Sequence, residues 1–239
     1  MYKEVPEAGL ESAYTVKKLL EYMECPQYLR KLLFRREAVL RYAGLLPPLR
    51  TPHHPLRGED FGYREGVVIG RIGERSLVYA GLDEPVIVDS ELEPGSRVTL
   101  KIAEGGHAKV VSEEEVELYW GFRVEVSSGL VEAIRNSGAE LVIATSKYGV
   151  PAEDVLDDLE RDLKRASRVI LVFGSRDRGL FEISRKWGLE LEDIADYILN
   201  FVPLQGVETV RTEEAVYAVL SILNFLDSLA ERKLKKRST

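Results

Sequence analysis

The spacing of apolar residues near the N-terminus predicts two short helices and then an irregular segment. Apolar residues recur at helical intervals at Val16, Leu19, Leu20 and Met23. Pro26 interrupts them, because proline lacks the amide hydrogen that a helix interior requires. A second apolar face follows over residues 28–33. Four prolines between residues 45 and 55 exclude regular structure there and predict a stiff, extended connection.

Residues 58–118 have a different pattern, that of a small all-β module. Five short runs of β-type apolar residues occur at 66–70, 76–80, 85–88, 97–102 and 108–111. Turn residues separate them, including Gly105 and Gly106 before the last run. The regular spacing of these five predicted strands predicts a small OB-like β-barrel inserted at residues 58–118.

From Tyr119 onward, predicted strands and helices alternate. Strands are expected at residues 120–126, 140–145 and 168–173, and helices at 130–136, from Pro151 onward and at 212–232. The run at 140–145 has no polar alternation, so both of its faces should be buried. Thr212 can cap the last helix. Alternating elements predict an α/β domain with a parallel sheet, formed by residues 1–57 and 119–239.

Composition excludes several protein classes. The 239-residue chain has no apolar run long enough for a transmembrane helix, and its N-terminus lacks the pattern of a secretory signal. One cysteine and three histidines exclude an internal disulfide and disfavour a metal site. Neither a membrane nor a metal is therefore expected as a partner, and a cytoplasmic protein is expected.

The net charge of −7 is unevenly distributed. Residues 16–64 carry ten Lys/Arg against five Asp/Glu, whereas residues 65–118 carry five against twelve. The basic segment permits an anionic partner, and the acidic segment is a poor general platform for RNA.

Two loops are candidates for ligand binding. Residues 172–180 (VFGSRDRGL) follow a buried strand, where open parallel sheets bind ligands, but they match neither GxGxxG nor a Walker A motif. A ligand loop and an ordinary strand-to-helix turn both remain open for them. Residues 200–215 lead into a helix N-terminus, which could bind an anionic or polar ligand edge or could simply begin a helix.

Several longer sequence segments resemble those of a known protein family. They are CPQYLRKLLF (25–34), GLLPPLRTPHHP (44–55), YREGVV (63–68), YWGFRV (119–124), the FG…RGL loop (173–180) and NFVPLQGVETVRTEEAVYAVLSIL (200–223). With these phrases the chain resembles the SPOUT superfamily of S-adenosylmethionine-dependent RNA methyltransferases. It is most similar to the archaeal and eukaryotic branch with an OB-like insertion, whose members resemble uridine-N3 methyltransferases. VRTE (210–213) also resembles the knot helix of bacterial rRNA uridine-N3 methyltransferases.

The resemblance implies an α/β domain with a C-terminal trefoil knot, an exception to the rule against knots. It implies that S-adenosylmethionine binds in the knot, and that the protein is a homodimer with an RNA site shared between protomers. The implied cofactor-binding residues are Thr145, Ser146, Gly174, Gly179, Leu204, Gln205, Gly206 and Thr212. Relatives carry a further N-terminal strand and basic loop ahead of CPQYLR, and this chain begins close to the helix that precedes this phrase.

Methyl transfer to uridine N3 requires alignment of the methyl group with N3, loss of the N3 proton and stabilisation of the uridine anion. Arg211 and Arg123 are candidates for the cation or for phosphate contact. Glu213 is the candidate base, although an exposed carboxylate at a helix start is an equally good interpretation. Candidates for contact with the RNA backbone are Arg30, Arg50, His53, His54 and Arg64.

The expected function is therefore S-adenosylmethionine-dependent methylation of a base, uridine N3, in rRNA or another structured RNA. The alternative is a non-catalytic RNA- or protein-binding module on a knotted scaffold. A nucleotide-binding α/β protein of another kind is disfavoured by the absence of a phosphate-loop lysine.

Overall fold

A computed structural model describes residues 7–56, 58–103 and 107–237, with side chains from residue 11 to residue 228 within those ranges. The chain divides into two compact units, residues 1–126 and 127–239. The predicted turn at Gly105 and Gly106 lies outside the described residues. The predicted division into a domain of 1–57 and 119–239 and an insertion of 58–118 stays a prediction.

The first unit begins with helices. Helix α1 spans Glu7–Glu24, α2 spans Arg30–Leu33, and a 3-10 helix spans Ala38–Leu45. Pro26 follows the end of α1, as its missing amide hydrogen predicts. The segment between the helices is held by a small apolar cluster in which Cys25, Leu29 and Val67 are buried. No regular structure occurs at residues 46–50, consistent with the proline-rich sequence.

The rest of the first unit is an antiparallel sheet. Its strands are β1 (Tyr63–Ile72), β2 (Arg75–Tyr79), β3 (Val86–Val88), β4 (Arg97–Ile102) and β5 (Ala108–Val111), followed by a 3-10 turn at Glu113–Glu115. Their order is β3-β2-β1-β4-β5. The sheet curls so that its two end strands, β3 and β5, contact each other. All five predicted strands are present; the OB-like classification stays a prediction.

The strand predicted at residues 120–126 is wrong: this segment has no regular secondary structure. Gly121 adopts a left-handed φ of 103°, which breaks an extended conformation. A Cβ at this position would lie 2.5 Å from Glu24 Oε1. The backbone therefore turns next to a buried carboxylate instead of forming a strand.

The second unit alternates strands and helices around a parallel sheet. Its elements are α3 (Leu130–Ser137), β6 (Leu141–Pro151), a 3-10 helix (Ala152–Val155), α4 (Leu156–Arg165), β7 (Val169–Val172), α5 (Leu180–Lys186), a 3-10 helix (Leu191–Asp193), β8 (Tyr197–Asn200) and α6 (Thr212–Arg237). The strand order is β7-β6-β8, and both pairings are parallel. Gly138 ends α3 in the left-handed conformation. Pro151 is the last residue of β6, not the first of a helix as predicted.

Strand β6 is buried on both faces, which confirms the interpretation of the apolar run at 140–145. Leu141 and Ile143 pack with residues of α4 and α6, including Leu159 and Val219. Val142 and Ala144 pack on the opposite face with Leu180 and other residues. The core therefore fixes the end of β6 at the centre of the sheet. Helix α5 and strand β8 are additional to the predicted elements. The trefoil knot stays a prediction.

None of the helices in the described part of the chain is both long and apolar enough to cross a lipid bilayer.

Candidate functional site

A cavity of about 630 Å³ opens in the second unit, where the regular parts of its three parallel strands end. Residues 145–148 of β6, residues 173–179 after β7 and residues 199–202 at β8 line it. Thr212, Ala215 and Val219 of α6 close one side. Ligands of open parallel sheets bind at this edge, and the volume falls in the range of small-molecule sites.

The loop after β7 is a closed turn. The amide of Ser175 donates to the Arg178 carbonyl at 2.9 Å, and the amide of Arg178 donates to Ser175 Oγ at 3.2 Å. A Cβ on Gly174 would lie 3.0 Å from the Arg178 carbonyl oxygen and 3.3 Å from Gly179 Cα. Position 174 thus leaves little space for a side chain in this conformation.

Thr212 attaches this turn to the start of α6. Its hydroxyl donates to the Gly174 carbonyl at 3.2 Å, and it is the first residue of the helix. The expectation that Thr212 caps α6 is therefore wrong. Glu214 performs a capping role instead, because its carboxylate accepts from the Arg211 amide at 3.1 Å.

The wall formed by residues 200–208 is shaped by side chains from two elements. Lys147 Nζ donates to the Glu208 carbonyl at 3.0 Å. Nε2 of the Gln205 side chain donates to the carbonyls of Val207 and Glu208 at 2.8 and 3.1 Å. At the start of the wall, Asn200 Nδ2 donates to the Lys147 carbonyl at 3.1 Å. This loop is thereby attached to β6.

The structure brings six of the eight expected cofactor residues to one cavity. They are Thr145, Ser146, Gly174, Gly179, Gln205 and Thr212. Leu204 and Gly206 belong to the same loop but are not among the lining residues, and Leu204 is 95 % exposed. Arg211 and Glu213 flank lining residues at the start of α6, and both are exposed.

Sequence reasoning missed several polar residues of this cavity. Lys147 and Tyr148 follow the expected Ser146 directly, so their position at the end of a buried strand was the available signal. Asn200 and Glu208 belong to the loop 200–215 that the sequence indicated, but the position of that loop at the cavity depends on β8, which was not predicted.

The comparison with known families shows which family the chain belongs to. A family model described as "Putative RNA methyltransferase" matches residues 3–223. The chain belongs to this family of RNA methyltransferases. The match includes most of both units and every residue that lines the cavity.

Individual relatives agree with this family. The chain is similar to proteins named "28S rRNA (uridine-N(3))-methyltransferase" from Homo sapiens (34 % identical), Drosophila melanogaster (32 %) and Mus musculus (33 %). Each similarity covers 89 % of this chain. It covers 61 %, 47 % and 59 % of the respective relative, so the chain spans about half to three fifths of their length.

The residues expected to contact RNA lie in the first unit of this RNA methyltransferase family member, and most are engaged within it. Arg64 is buried and donates to the carbonyls of Ala80 and Glu59. Arg30 donates to the carbonyls of Cys25 and Met23.

Two further charged candidates of the first unit form exposed ion pairs. Arg50 pairs with Glu59 at 2.9 Å. Arg123, the candidate cation, pairs with Glu113 at 2.8 Å. Water screens exposed pairs of this kind, so both guanidinium groups can be released at little cost.

His53 and His54 are buried, in contrast to the surface position that contact with an RNA backbone requires. Both Nε2 atoms lie against the Glu24 carbonyl, at 3.2 and 2.6 Å. Since a carbonyl oxygen only accepts, each Nε2 carries the hydrogen. His53 Nδ1 then accepts from the Thr51 hydroxyl at 3.0 Å. Both nitrogens of the neutral His53 ring are thus satisfied, which gives it a structural role.

We expect these two histidines to make the protein less stable in acid. Burial lowers the pKa of both imidazoles below 6.5, and this effect is larger than the opposite effect of the neighbouring Glu24. The charge of Arg97 lowers the pKa of His53 further. The charges of His53 and Arg30 lower the pKa of His54 further. The unfolded state therefore binds more protons, so their contribution is complete above about pH 6.5 and is lost as the pH falls through the folded-state pKa. The urea concentration at the midpoint of unfolding should therefore fall as the pH is lowered from about 6.5.

A matched substitution isolates the effect. His54→Gln should flatten this pH dependence, whereas His107→Gln, at an exposed histidine of the same unit, should leave it unchanged. An unchanged slope in His54→Gln would contradict the assignment.

Among the described residues, no group of three or more His, Cys, Asp or Glu side chains is arranged to hold a metal ion.

Proposed function

We propose that this chain is an S-adenosylmethionine-dependent RNA methyltransferase that methylates uridine N3 of rRNA or another structured RNA. The observation that carries the proposal is the convergence of six expected cofactor residues on one cavity, in a chain that belongs to an RNA methyltransferase family. The names of the similar human, fly and mouse proteins support uridine N3 as the target.

The cavity fits the cofactor chemically. Gly174 and Gly179 line the cavity without side chains, so a flat ligand can approach the main-chain groups of this turn closely. Phe173, Phe181 and Val202 supply half-buried apolar surface for an adenine ring. The turn is held from both sides, because Thr145 donates to the Val172 carbonyl and Thr212 to the Gly174 carbonyl. A preformed site of this kind loses little ordering entropy on binding.

S-adenosylmethionine supplies an electrophilic methyl group when it is bound. The chain's own contribution is to hold the uracil N3 in line with it and to exclude water. The N3–H bond is weakly acidic, so a cation close to the base would favour the anion. Arg211 and Glu213 remain the candidates for cation and base beside the cavity, and Arg123 a candidate in the first unit.

We further propose that the second unit contains a trefoil knot and forms a homodimer through α6. Large apolar side chains on one face of this helix, Tyr217, Leu220 and Phe225, are exposed. Their exposure supports a partner surface. The OB-like insertion is supported by the five-stranded sheet of the first unit, which curls so that its end strands β3 and β5 contact each other.

The homodimer has a direct test. Wild-type protein should sediment as a dimer, and Tyr217→Glu with Phe225→Glu should sediment as a monomer, because charges cannot be buried unpaired. Leu45→Glu, which changes an exposed apolar residue in the first unit, serves as the control. A monomeric wild type would exclude the dimer.

Calorimetric titration with S-adenosylhomocysteine tests the function. Saturable binding at one site per protomer is expected, together with transfer of labelled methyl to RNA and N3-methyluridine in the digested product. RNA binding without any cofactor binding would point instead to a non-catalytic RNA-binding module.

A further inference from the structure

Strand β6 contains a four-residue bulge at the mouth of the cavity. Leu199 of β8 is the register partner of both Thr145 and Val150, so residues 146–149 stand out of the ladder between them. These residues are Ser146, Lys147, Tyr148 and Gly149. Bulges next to ligand sites redirect side chains that a regular strand would point elsewhere.

The bulge is fixed by specific contacts. Asn200 Nδ2 donates to the Lys147 carbonyl at 3.1 Å, and the Tyr148 amide donates to Ser146 Oγ at 3.2 Å. A Cβ on Gly149 would lie 2.5 Å from the Ile198 carbonyl oxygen, so the bulge returns to the sheet through a glycine. Its shape is thereby determined by the neighbouring strand.

The bulge presents an aromatic ring and an ammonium group side by side. Lys147 and Tyr148 both line the cavity, and Lys147 Nζ lies 5.2 Å from the centre of the Tyr148 ring. The tyrosine side chain is 76 % exposed. Of the three donors on the ammonium, one is used by the Glu208 carbonyl, so the group can also donate to a ligand.

We propose that this bulge receives the target uracil, with Tyr148 stacked on the face of the ring and Lys147 donating to a keto oxygen beside N3. The inference rests on the proposed function. Enzymes that modify a base take it out of the helical stack and recognise it by stacking and by hydrogen bonds to its pairing edge. Tyr148 offers the flat surface and Lys147 the donor.

The charge of Lys147 acts on the reaction itself. When N3–H loses its proton to the candidate base Glu213, the negative charge spreads over the two flanking keto oxygens. A cation at one of them stabilises this anion more than the neutral base. The N3 lone pair then forms the bond to the methyl carbon, the sulfur–methyl bond breaks, and its electron pair remains on sulfur.

Photo-crosslinking locates the base. A short oligouridylate carrying one 5-iodouridine is irradiated with the full chain in the presence of S-adenosylhomocysteine, and adducts are mapped by mass spectrometry. We expect the adduct on Tyr148. Tyr148→Leu should weaken oligouridylate binding about 10- to 100-fold, the range of one aromatic stacking contact, while Tyr148→Phe binds as wild type does.

The pH dependence of binding tests the lysine. Between pH 7 and 9, wild-type affinity for oligouridylate should rise as the uridine N3–H ionises, because the ammonium group attracts the anion more than the neutral base. Lys147→Met should lose this rise and Lys147→Arg should keep it. Oligocytidylate, which has no N3 proton, is the control probe. If Lys147 only holds the loop in place, Lys147→Met should change the pH dependence of binding equally for oligouridylate and oligocytidylate.

The outcomes separate the inference from the proposed function. The inference would be overturned if adducts formed only at other residues or if no adduct formed at all. It would also be overturned by a Tyr148→Leu variant that changes the oligomeric state but not the binding of oligouridylate. If the same protein binds S-adenosylhomocysteine, the proposed function survives that result. Conversely, a Tyr148 adduct in protein that binds no S-adenosylhomocysteine supports the base site and counts against the proposed function.

Discussion

Replacing Arg97 with leucine is expected to lower the free energy of unfolding of the first unit by about 3–5 kcal/mol. The guanidinium group donates from Nη1 and Nη2 to Glu24 at 2.6 and 2.9 Å, and from Nε to Glu65 at 2.6 Å. Both carboxylates are buried. Burial lowers the pKa of Arg97, but the hydrogen bonds and charges of the two glutamates outweigh it and raise the pKa above its usual value. Removal of the arginine would leave two buried anions without their cation.

The same sheet provides a matched control. Arg71 also pairs with two carboxylates, Glu91 and Glu93, at 2.8 and 2.9 Å, but those partners are exposed. Arg71→Leu should therefore cost less than about 1 kcal/mol. Similar losses in the two variants would show that burial of the glutamates does not determine the effect.

The two tryptophans make the measurement specific. Trp120 belongs to the buried network, since its indole nitrogen donates to Thr99 Oγ1 at 3.1 Å and to the Glu65 carboxylate. Trp187 lies in the second unit. In a Trp187→Phe background, urea unfolding followed by fluorescence reports the first unit alone. Because the interactions are coupled, Glu24→Gln should cost less in the Arg97→Leu protein than in its parent.

The second large effect is expected at the turn after β7. Gly174→Val should weaken S-adenosylhomocysteine binding by about 10-fold or more, an energy of about 1.4 kcal/mol, because the added side chain strains the turn that lines the cavity. The new side chain would meet backbone atoms of Arg178 and Gly179, which cannot rotate away as a side chain could. The turn would have to open, and the Gly174 carbonyl would lose its bond from Thr212.

Calorimetry with S-adenosylhomocysteine provides the readout, and circular dichroism checks the fold. Gly70→Val is the control, because nothing lies within 4 Å of the Cβ position in that first-unit strand. If Gly174→Val bound the cofactor product with unchanged affinity, the turn would not form part of the site.

Features that depend on neighbours in sequence could be predicted from the sequence. The apolar run of β6 specifies a strand buried on both faces, because it has no polar side to turn toward water. Gly138 ends α3 because glycine adopts the left-handed conformation without strain. The five strand segments of the first unit follow from alternating apolar and turn residues. The resemblance located the loops that line the cavity for the same reason, since each is a continuous sequence segment.

Features that join distant segments required the tertiary structure. Basic residue types and the family resemblance suggested RNA contacts for His53, His54 and Arg64, yet all three are buried. The histidines donate to the Glu24 carbonyl and Arg64 donates to the carbonyls of Ala80 and Glu59. Thr212 suits a helix cap locally, but the Gly174 carbonyl provides its partner.

The sequence by itself determined most helices and strands of this protein, its family and the loops that line the cavity, but not α5, β8 or the irregular segment at 120–126. The tertiary structure alone decided which polar side chains those loops present. The bulge that presents Lys147 and Tyr148 is shaped by Asn200 and Ile198 of another strand. A local pattern records the propensity of a segment, whereas the position of a hydrogen-bond partner more than 50 residues away depends on how the segments pack.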